Sequence, residues 1–259
     1  MPDASITILV PTFNHEKYIA EAIKSVRDQT IISSCKVIIS DDCSSDDTVE
    51  IARRLIRDLP NFTVRQNVSN LGIMEHYRLL ASLVDTSYLA ILEGDDYWHA
   101  TDKMELQKSL MDGHPEIPLC FTACLVKDEA SGAKWHHPGW SPDRHRVVHF
   151  LDMLTFNPVA TFSNCFYRTA SFADAVSVAD AKSGYDWLLN MSLASAGGAL
   201  FAARACTLYR LHANGTWTKL NSKQKRAGII SSLEALKSKV DNSLGLYIDA
   251  AIARAHNDR

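Results

Sequence analysis

The chain has 259 residues, of which 46% are hydrophobic and 22% charged, values that are typical of a globular domain. Its net charge of −3 argues against general nucleic-acid binding, which needs a basic surface to neutralise phosphates. The first of its eleven glycines is Gly72, so neither a GxGxxG fingerprint nor a Walker-type glycine loop can follow the first predicted strand. A nucleotide would have to be held by other means.

Strand-like and helix-like segments alternate through the first half of the chain. The apolar runs predict strands over 6–10, 36–40, 63–66, 88–92 and 119–126. Between them, helical spacing of apolar residues predicts helices over about 18–29, 44–59, 72–84 and 103–112. Ser44 with Asp47 fits a capping box, and Asp102 is placed to cap the fourth helix. The alternation predicts an α/β fold with a doubly wound, mainly parallel sheet and helices on both faces.

The second half of the chain is less regular. Residues 128–147, which include His136 and His137, read as a loop or a long hairpin. Strands are predicted over 163–168 and 205–211, a helix over 186–195, and a helical stripe from about residue 223. We predict one domain over 1–220 and a C-terminal helical extension over 221–259. This extension either packs against the core or docks on a membrane or a partner.

The compartment is predicted from the N-terminus and the cysteines. The chain enters its first strand without the pattern of a signal peptide, and no apolar stretch approaches the length that spans a bilayer. The six cysteines form no CxxC pair and lack metal-ligand spacing with histidine, so a zinc site is disfavoured. We therefore expect a cytoplasmic protein with reduced thiols.

Polar clusters follow three of the predicted strands, at 11–14, 41–44 and 93–96. Ligands of open α/β sheets bind outside the carboxyl ends of the strands, so these clusters are expected to meet at one edge. The third cluster, Glu93-Gly94-Asp95-Asp96, is the most informative, because repulsion among its carboxylates can be offset by Mg²⁺ or Mn²⁺. The alternative is a solvated acidic turn.

The chain resembles the family 2 glycosyltransferases of the GT-A fold over roughly residues 4–125. The resemblance is carried by VPTFNHEKYIAEAIKSVRDQT (10–30), VIISDDCSSDDT (37–48), NLG (70–72) and LEGDDYW (92–98). The last of these stands in the place of the family's DxD motif, with Glu93 where the family has Asp. GYDWLL (184–189) and YRLHANGT (209–216) resemble elements on the family's acceptor side, which places the acceptor-binding half at about 126–220.

The resemblance implies roles for individual residues on the donor side. A nucleotide sugar, expected to be a UDP-sugar, would be bound by residues of the strand-end clusters and of the NLG motif: Pro11, Thr12, Asn14, Asp42, Gly72, Glu93 and Asp95. In this scheme Asp42 contacts the base, although it could instead cap a helix. Asp96 ligates Mn²⁺ or Mg²⁺, and His212 reaches the metal or the diphosphate, unless it is a structural histidine.

The resemblance also implies the reaction and the acceptor side. Asp186 is the candidate catalytic base of an inverting displacement, although it could also be the N-cap of its helix, and Asp180 is the alternative base. Trp98 is expected to bind the acceptor, a saccharide or lipid-linked saccharide of cell-surface polysaccharide synthesis. Peripheral association with the cytoplasmic face of the membrane is left open. The remaining alternatives are a sugar-nucleotide nucleotidyltransferase and a non-catalytic module that binds sugar nucleotides.

Overall fold

The computed structural model describes residues 5–140, 144–178 and 185–257. Its ten strands are β1 (Ile6–Thr12), β2 (Cys35–Asp41), β3 (Phe62–Gln66), β4 (Tyr88–Ile91), β5 (Tyr97–Trp98), β6 (Leu119–Asp128), β7 (Lys134–His137), β8 (Arg146–Val148), β9 (Cys165–Arg168) and β10 (Ala199–Leu211), counted over these ranges. The helices of the same ranges are α1 (Ile19–Arg27), α2 (Thr48–Ile56), α3 (Ile73–Ser82), α4 (Lys103–Asp112), α5 (Phe150–Met153), α6 (Thr169–Val178), α7 (Tyr185–Ala194), α8 (Ser222–Lys237) and α9 (Gly245–Asn257).

The strands join into one sheet in the order β3-β2-β1-β4-β9-β6-β10-β5, with β7 added beside β6 and β8 beside β10. Strands β1 to β4 pair in parallel, as do β6 and β10, whereas β9 runs antiparallel between β4 and β6. The mainly parallel α/β sheet predicted from the sequence is therefore confirmed. The antiparallel β9 separates a regular parallel half from a half built around the long strand β10.

Two apolar layers cover the two faces of the sheet. In β1, Ile8 and Val10 point into the layer formed with α1, α2 and α4, whereas Leu9 between them points into the other layer. This alternation is the period of two that a strand imposes on its side chains. The second layer is formed with α3, α5, α6 and α7, so helices lie on both faces as predicted.

The C-terminal helices belong to the second layer. Leu233 and Leu236 of α8 and Ile248 and Ala251 of α9 are buried in the same apolar cluster as the sheet. Of the two alternatives for the predicted extension, packing against the core is therefore confirmed. Within the described ranges, no helix combines the length and the apolarity needed to cross a bilayer.

The start of α2 differs from the prediction, whereas α4 begins at the predicted residue, and neither helix has the predicted capping hydrogen bond. Helix α2 begins at Thr48, and the side chain of Asp47 makes no capping hydrogen bond. The Ser44 hydroxyl instead donates to the carboxylate of Asp41 at the end of β2. Asp102 precedes α4 without a capping bond, because its Oδ2 accepts from Arg204 at 2.6 Å. The predicted Ser44–Asp47 capping box is therefore wrong, whereas Asp102 occupies the predicted cap position without the capping hydrogen bond.

The less regular half contains more strand than predicted. Within 128–147, the predicted hairpin is confirmed for β7, which pairs antiparallel with β6, and β8 pairs with β10. Strand β10 begins at Ala199, earlier than the predicted residue 205. Its register shifts between Ala202 and Thr207, and this irregularity hides the strand pattern in the sequence.

Candidate active site

The polar clusters after β1, β2 and β4 meet at one edge of the sheet, as predicted. The carbonyl of Thr12 accepts the backbone N–H of Asp42, and the carbonyl of Pro11 accepts that of Gly94, both at 2.9 Å. A Cβ on Gly94 would lie 2.8 Å from Thr12 Oγ1 and from His15 Nδ1. This approach of the third cluster to the end of β1 therefore requires glycine at position 94.

Asp95 lies between two histidines at this edge. Its Oδ2 is 2.9 Å from Nε2 of His212 and 3.5 Å from Nε2 of His15. Burial favours the neutral acid, but the two imidazoles outweigh it and hold the pKa of Asp95 below its ordinary value. Burial lowers the pKa of His15, so this ring favours its neutral form. The arrangement presents an ionised carboxylate and imidazole nitrogens to the edge of the sheet.

These groups fit a divalent cation that takes only part of its ligands from the protein. Among the described residues, no group of three His, Cys, Asp or Glu side chains is placed to hold a metal ion. Asp95 and His212 would therefore supply two donors, and a bound ligand would supply the others. Beside them, the buried atoms Thr12 Oγ1 and His15 Nδ1 have no hydrogen-bond partner in the part of the chain that the structure describes. Such orphaned polar atoms are typical of sites that a ligand completes.

Asp96 is buried beneath the site, at 1% exposure, and this corrects its predicted role as a metal ligand. Its Oδ1 accepts the backbone N–H of Arg210 at 3.0 Å, and its Oδ2 accepts the hydroxyls of Ser163 at 2.6 Å and Thr161 at 3.2 Å. Burial, with the charge of Asp95 close by, raises the pKa of Asp96 well above its ordinary value. This side chain therefore joins β10 to the turn at 161–163 and does not reach the cavity.

Glu93 faces the cavity but is largely neutral. Its Oε2 accepts the Thr161 hydroxyl at 2.7 Å, and its Oε1 accepts the Tyr77 hydroxyl at 3.3 Å. Burial and the nearby charge of Asp95 raise the pKa of Glu93 to about 8. Protonation of Glu93 at neutral pH reduces the repulsion within the acidic cluster. Its predicted contact with a nucleotide sugar stays a prediction.

Asp42 organises the loop that leads into α3. Its carboxylate accepts three hydrogen bonds, from Asn67 Nδ2 at 2.8 Å and from the backbone N–H groups of Leu71 and Gly72 at 2.9 Å. Gly72 has φ of +77°, which favours glycine, and precedes the first residue of α3. Asp42 does not cap α2, so that alternative is wrong. The predicted contacts of Asp42 and Gly72 with the nucleotide stay predictions.

Asn14 links the loops that follow β1 and β2. Its backbone N–H donates to Ser44 Oγ at 2.7 Å, and its Oδ1 accepts the backbone N–H of Ser45 at 2.9 Å. Pro11 and Thr12, the last two residues of strand β1, are buried next to this link. These contacts define the edge on which a nucleotide is expected, and the roles of Pro11, Thr12 and Asn14 in binding it stay predictions.

A cavity of about 720 Å³ opens beside the acidic cluster, within the size range of ligand-binding pockets. Glu93, Asp95 and Asp186 line it together, although Asp186 comes from α7, far along the chain. Asn157 Nδ2 donates to Asp186 Oδ2 at 3.3 Å, and burial raises the pKa of Asp186 to about 6. Asp180, the alternative base, lies outside the described residues.

Trp98 is a core residue, which corrects its predicted role in acceptor binding. It is 3% exposed, and its indole N–H donates to the carbonyl of Ser163 at 2.8 Å. The buried ammonium of Lys103 lies 4.5 Å from the centre of its ring. The side chain directly after the acidic cluster therefore points inward, and it stabilises the turn that holds Asp96.

Other tryptophans line the cavity in its place: Trp135, Trp187 and Trp217. The indole N–H of Trp187 donates to the carbonyl of Met153 at 2.9 Å, which fixes that ring in the wall. The sequence pattern does not single out Trp217 as a ligand-binding residue, although this residue directly follows the YRLHANGT motif. Aromatic rings in such a position suit the apolar faces of sugars.

Most of the chain matches a known protein family. The family model described as "Glycosyl transferase family 2" matches residues 7–175, which include the acidic cluster and the turn at 161–163. The chain belongs to glycosyltransferase family 2. This membership decides for a transferase over the nucleotidyltransferase and the non-catalytic alternatives that the sequence left open.

Curated relatives of this glycosyltransferase are distant in sequence. The uncharacterised protein Rv1520 of Mycobacterium tuberculosis is 27% identical over 240 residues, which cover 89% of this chain and 67% of that protein. The abequosyltransferase RfbV of Salmonella typhimurium is 30% identical over 118 residues, 44% of this chain and 35% of that protein. A Campylobacter jejuni protein named GalNAc(5)-diNAcBac-PP-undecaprenol beta-1,3-glucosyltransferase is 26% identical over 131 residues, 50% of this chain and 41% of that protein.

Solved structures share the fold of this glycosyltransferase. Residues 1–349 of Staphylococcus aureus TarS, in complex with UDP-GlcNAc, align with a TM-score of 0.74 and 19% identity, over 98% of this chain and 72% of that one. The mannosyltransferase PcManGT of Pyrobaculum calidifontis, in complex with GDP-Man and Mn²⁺, aligns with a TM-score of 0.68 and 14% identity, over 99% and 75%. The GT-A fold expected from the resemblance is confirmed.

Proposed function

We propose that this glycosyltransferase moves a sugar from a UDP-sugar to a saccharide or lipid-linked saccharide in cell-surface polysaccharide synthesis. The observation that carries the proposal is that Asp186 and Asp95 line the same cavity, with the strand-end clusters beside it. The UDP-GlcNAc complex of TarS supports the donor, and the undecaprenol-linked substrate in the name of the C. jejuni relative supports the acceptor. We place the reaction in the cytoplasm, at the inner face of the membrane.

Asp186 acts as the general base of an inverting displacement in this proposal. The acceptor oxygen forms a bond to the anomeric carbon, the bond from that carbon to the diphosphate oxygen breaks, and the acceptor proton passes to the Asp186 carboxylate. Attack from the face opposite the leaving group inverts the anomeric configuration. With a pKa of about 6, Asp186 is mostly ionised at neutral pH yet basic enough to accept a proton. The transition state resembles an oxocarbenium ion.

A divalent cation would be held by Asp95 and His212, and it would balance the negative charge that grows on the diphosphate leaving group. A carboxylate suits both Mg²⁺ and Mn²⁺, whereas the imidazole favours a transition metal, so we propose Mn²⁺ before Mg²⁺. The Mn²⁺ in the PcManGT complex supports this choice. Buried beneath the site, Asp96 would act by positioning the turn rather than by ligation.

The function is tested by replacing Asp186 with Asn, which keeps the size of the side chain and removes its basicity. We expect UDP-sugar binding within about twofold of the unmodified protein, and a loss of transfer of about 100-fold or more, because general bases contribute on that order. Binding is measured by calorimetry and transfer by release of UDP in the presence of acceptor. Asp58→Asn, which changes an exposed carboxylate two residues beyond the end of α2, is the matched control. Transfer by Asp186→Asn at a rate near that of the control would refute the assignment.

A further inference from the structure

Helices α8 and α9 form one wall of the cavity. The residues of α8 that line it are spaced along one helical face: Ser222, Lys225, Arg226, Ile229 and Leu233. On α9, the lining residues Ala251, Arg254 and Ala255 share a face in the same way. Toward the sheet this wall is apolar, with Leu233 and Ala251 in the core. Three of its other lining residues, Lys225, Arg226 and Arg254, are cations.

Three cations therefore line a cavity whose acids, Glu93, Asp95 and Asp186, come from other elements. Lys225 and Arg226 are half-buried and Arg254 is exposed. The ion pairs found within 4.0 Å among the described residues include none of the three. Lys225 Nζ lies 5.6 Å from the ring centre of Trp217, which also lines the cavity. Three cations that line one cavity, without an ion-pair partner among the described residues within it, are a suitable site for an anionic ligand.

The C-terminal segment is basic, although the chain as a whole is acidic. Residues 221–257 contain six basic and three acidic side chains, in a chain whose net charge is −3. Three lysines of this segment do not line the cavity. Lys223 and Lys239 are exposed on the surface, and Lys237 Nζ pairs with Asp249 Oδ1 at 2.7 Å. The segment thus contains the residues proposed to bind an anion, and it also contains exposed lysines outside the cavity that can serve as controls.

We propose that Lys225, Arg226 and Arg254 bind a phosphate group of the acceptor; this assignment rests on the proposed function. Guanidinium groups bind phosphate oxygens in bidentate geometry, and an ammonium adds a third point charge. The donor diphosphate belongs at the strand ends, next to Asp95 and His212. The cationic wall is built on α8 and α9, and α8 packs against α7, the helix that carries Asp186. The acceptor hydroxyl must lie near Asp186 if that residue is the base.

The phosphate has two chemical sources that the test separates. One is a diphosphate that links the acceptor saccharide to a lipid, and the other is a phosphodiester within a polyol-phosphate chain. The three acceptors to compare are a saccharide on a short-chain alkyl diphosphate, the same saccharide on a neutral alkyl group, and a glycerol-phosphate oligomer. The phosphate-bearing acceptor with the lower KM identifies the source.

Three variants are compared with the unmodified protein. The cavity pair is the double variant Lys225→Gln/Arg226→Gln, and the control pair is the double variant Lys223→Gln/Lys239→Gln. The third variant is the single substitution Arg254→Gln. For the unmodified protein, we expect KM for the neutral acceptor to exceed KM for the preferred phosphate-bearing acceptor. The cavity pair should reduce this ratio about tenfold, the loss of roughly one charge-assisted hydrogen bond, and the control pair should leave it unchanged. Equal KM values for neutral and phosphate-bearing acceptors, or a ratio that the cavity pair leaves unaltered, would overturn the proposal.

A binding measurement keeps the proposal separate from the proposed function. Inorganic pyrophosphate is titrated into each protein by calorimetry in metal-free buffer, with thermal unfolding as the check on folding. We expect pyrophosphate to bind the unmodified protein and the control pair, and to bind the cavity pair about tenfold more weakly. If no UDP-sugar is turned over but this pattern holds, the transferase proposal fails and the anion site stands. If turnover occurs but pyrophosphate affinity is the same in all variants, the anion site fails.

Discussion

Three acids that share one cavity differ in the protonation that their surroundings favour. Two histidines keep the pKa of Asp95 low, whereas burial raises that of Asp186 to about 6 and that of Glu93 to about 8. A carboxylate that stays ionised suits cation binding, and one that titrates near neutrality suits proton transfer. Local packing thus gives three chemically similar residues different protonation preferences.

The pKa of Asp186 predicts how transfer depends on pH. A general base works only when deprotonated, so kcat/KM for the acceptor at saturating donor should rise with pH and level off above about 6. Below that value we expect a fall of about tenfold per pH unit. The measurement is the rate of UDP release from pH 4.5 to 8. The residual rate of Asp186→Asn serves as the control, because it should lack this inflection. A flat profile of the unmodified protein between pH 5 and 7 would argue for a different base.

At the scale of secondary-structure elements, the edge where the polar clusters meet depends on how closely the ends of β1 and β4 approach each other. Gly94 fills the position between them, with Pro11, Thr12 and His15 as its neighbours. The sequence pattern suggests that a glycine between acids lets the backbone turn sharply and lets a ligand approach closely. The distances show that the stronger constraint is the absence of a side chain, because any Cβ would collide with the end of β1.

Gly94→Ala tests this constraint. We expect the added methyl group to displace the acidic cluster, to weaken binding of UDP with Mn²⁺ by about tenfold or more, and to lower the free energy of unfolding by about 1–3 kcal/mol, the usual cost of overpacking. Calorimetric titration and thermal unfolding measure the two effects. Gly139→Ala is the matched control, because a Cβ there meets no atom within 4 Å and should change neither quantity. Unchanged UDP affinity in Gly94→Ala would show that the edge does not bind the donor.

At the scale of the whole molecule, the C-terminal helices are part of both the core and the cavity. Leu236 of α8 is 0% exposed, whereas Leu246 of α9 is 81% exposed. The sequence pattern predicted a helical stripe but not its division into α8 and α9 around the short 3-10 helix Asn242–Leu244. The predicted boundary at residue 220 therefore separates segments that share one apolar layer.

This pair of leucines provides a test of that shared layer. Leu236→Ala should lower the free energy of unfolding by about 2–5 kcal/mol, since it leaves a cavity in the core, whereas Leu246→Ala should change it by less than about 0.5 kcal/mol. Chemical denaturation with a single two-state fit gives both values. Equal effects of the two substitutions, or a separate transition for the C-terminal helices, would mean that α8 and α9 fold independently of the sheet.

The sequence by itself determined the class of fold and the edge of the sheet at which the polar clusters meet. Alternating apolar segments specify parallel strands with intervening helices, and acids that follow such strands must gather at their carboxyl ends. The motifs around Asp42 and Asp95 also carried the family resemblance. These features are local, because they depend on residue order and on the period of each element.

Only the tertiary structure decided which neighbouring side chain faces the ligand. Asp95 and Asp96 are adjacent acids, yet Asp96 is buried because Ser163 and Arg210, far along the chain, supply its hydrogen bonds. Trp98 points inward to a carbonyl of the same distant turn, and the cationic wall exists because α8 and α9 fold back over the sheet. Burial and charge balance are set by contacts between remote segments, and no local pattern contains them.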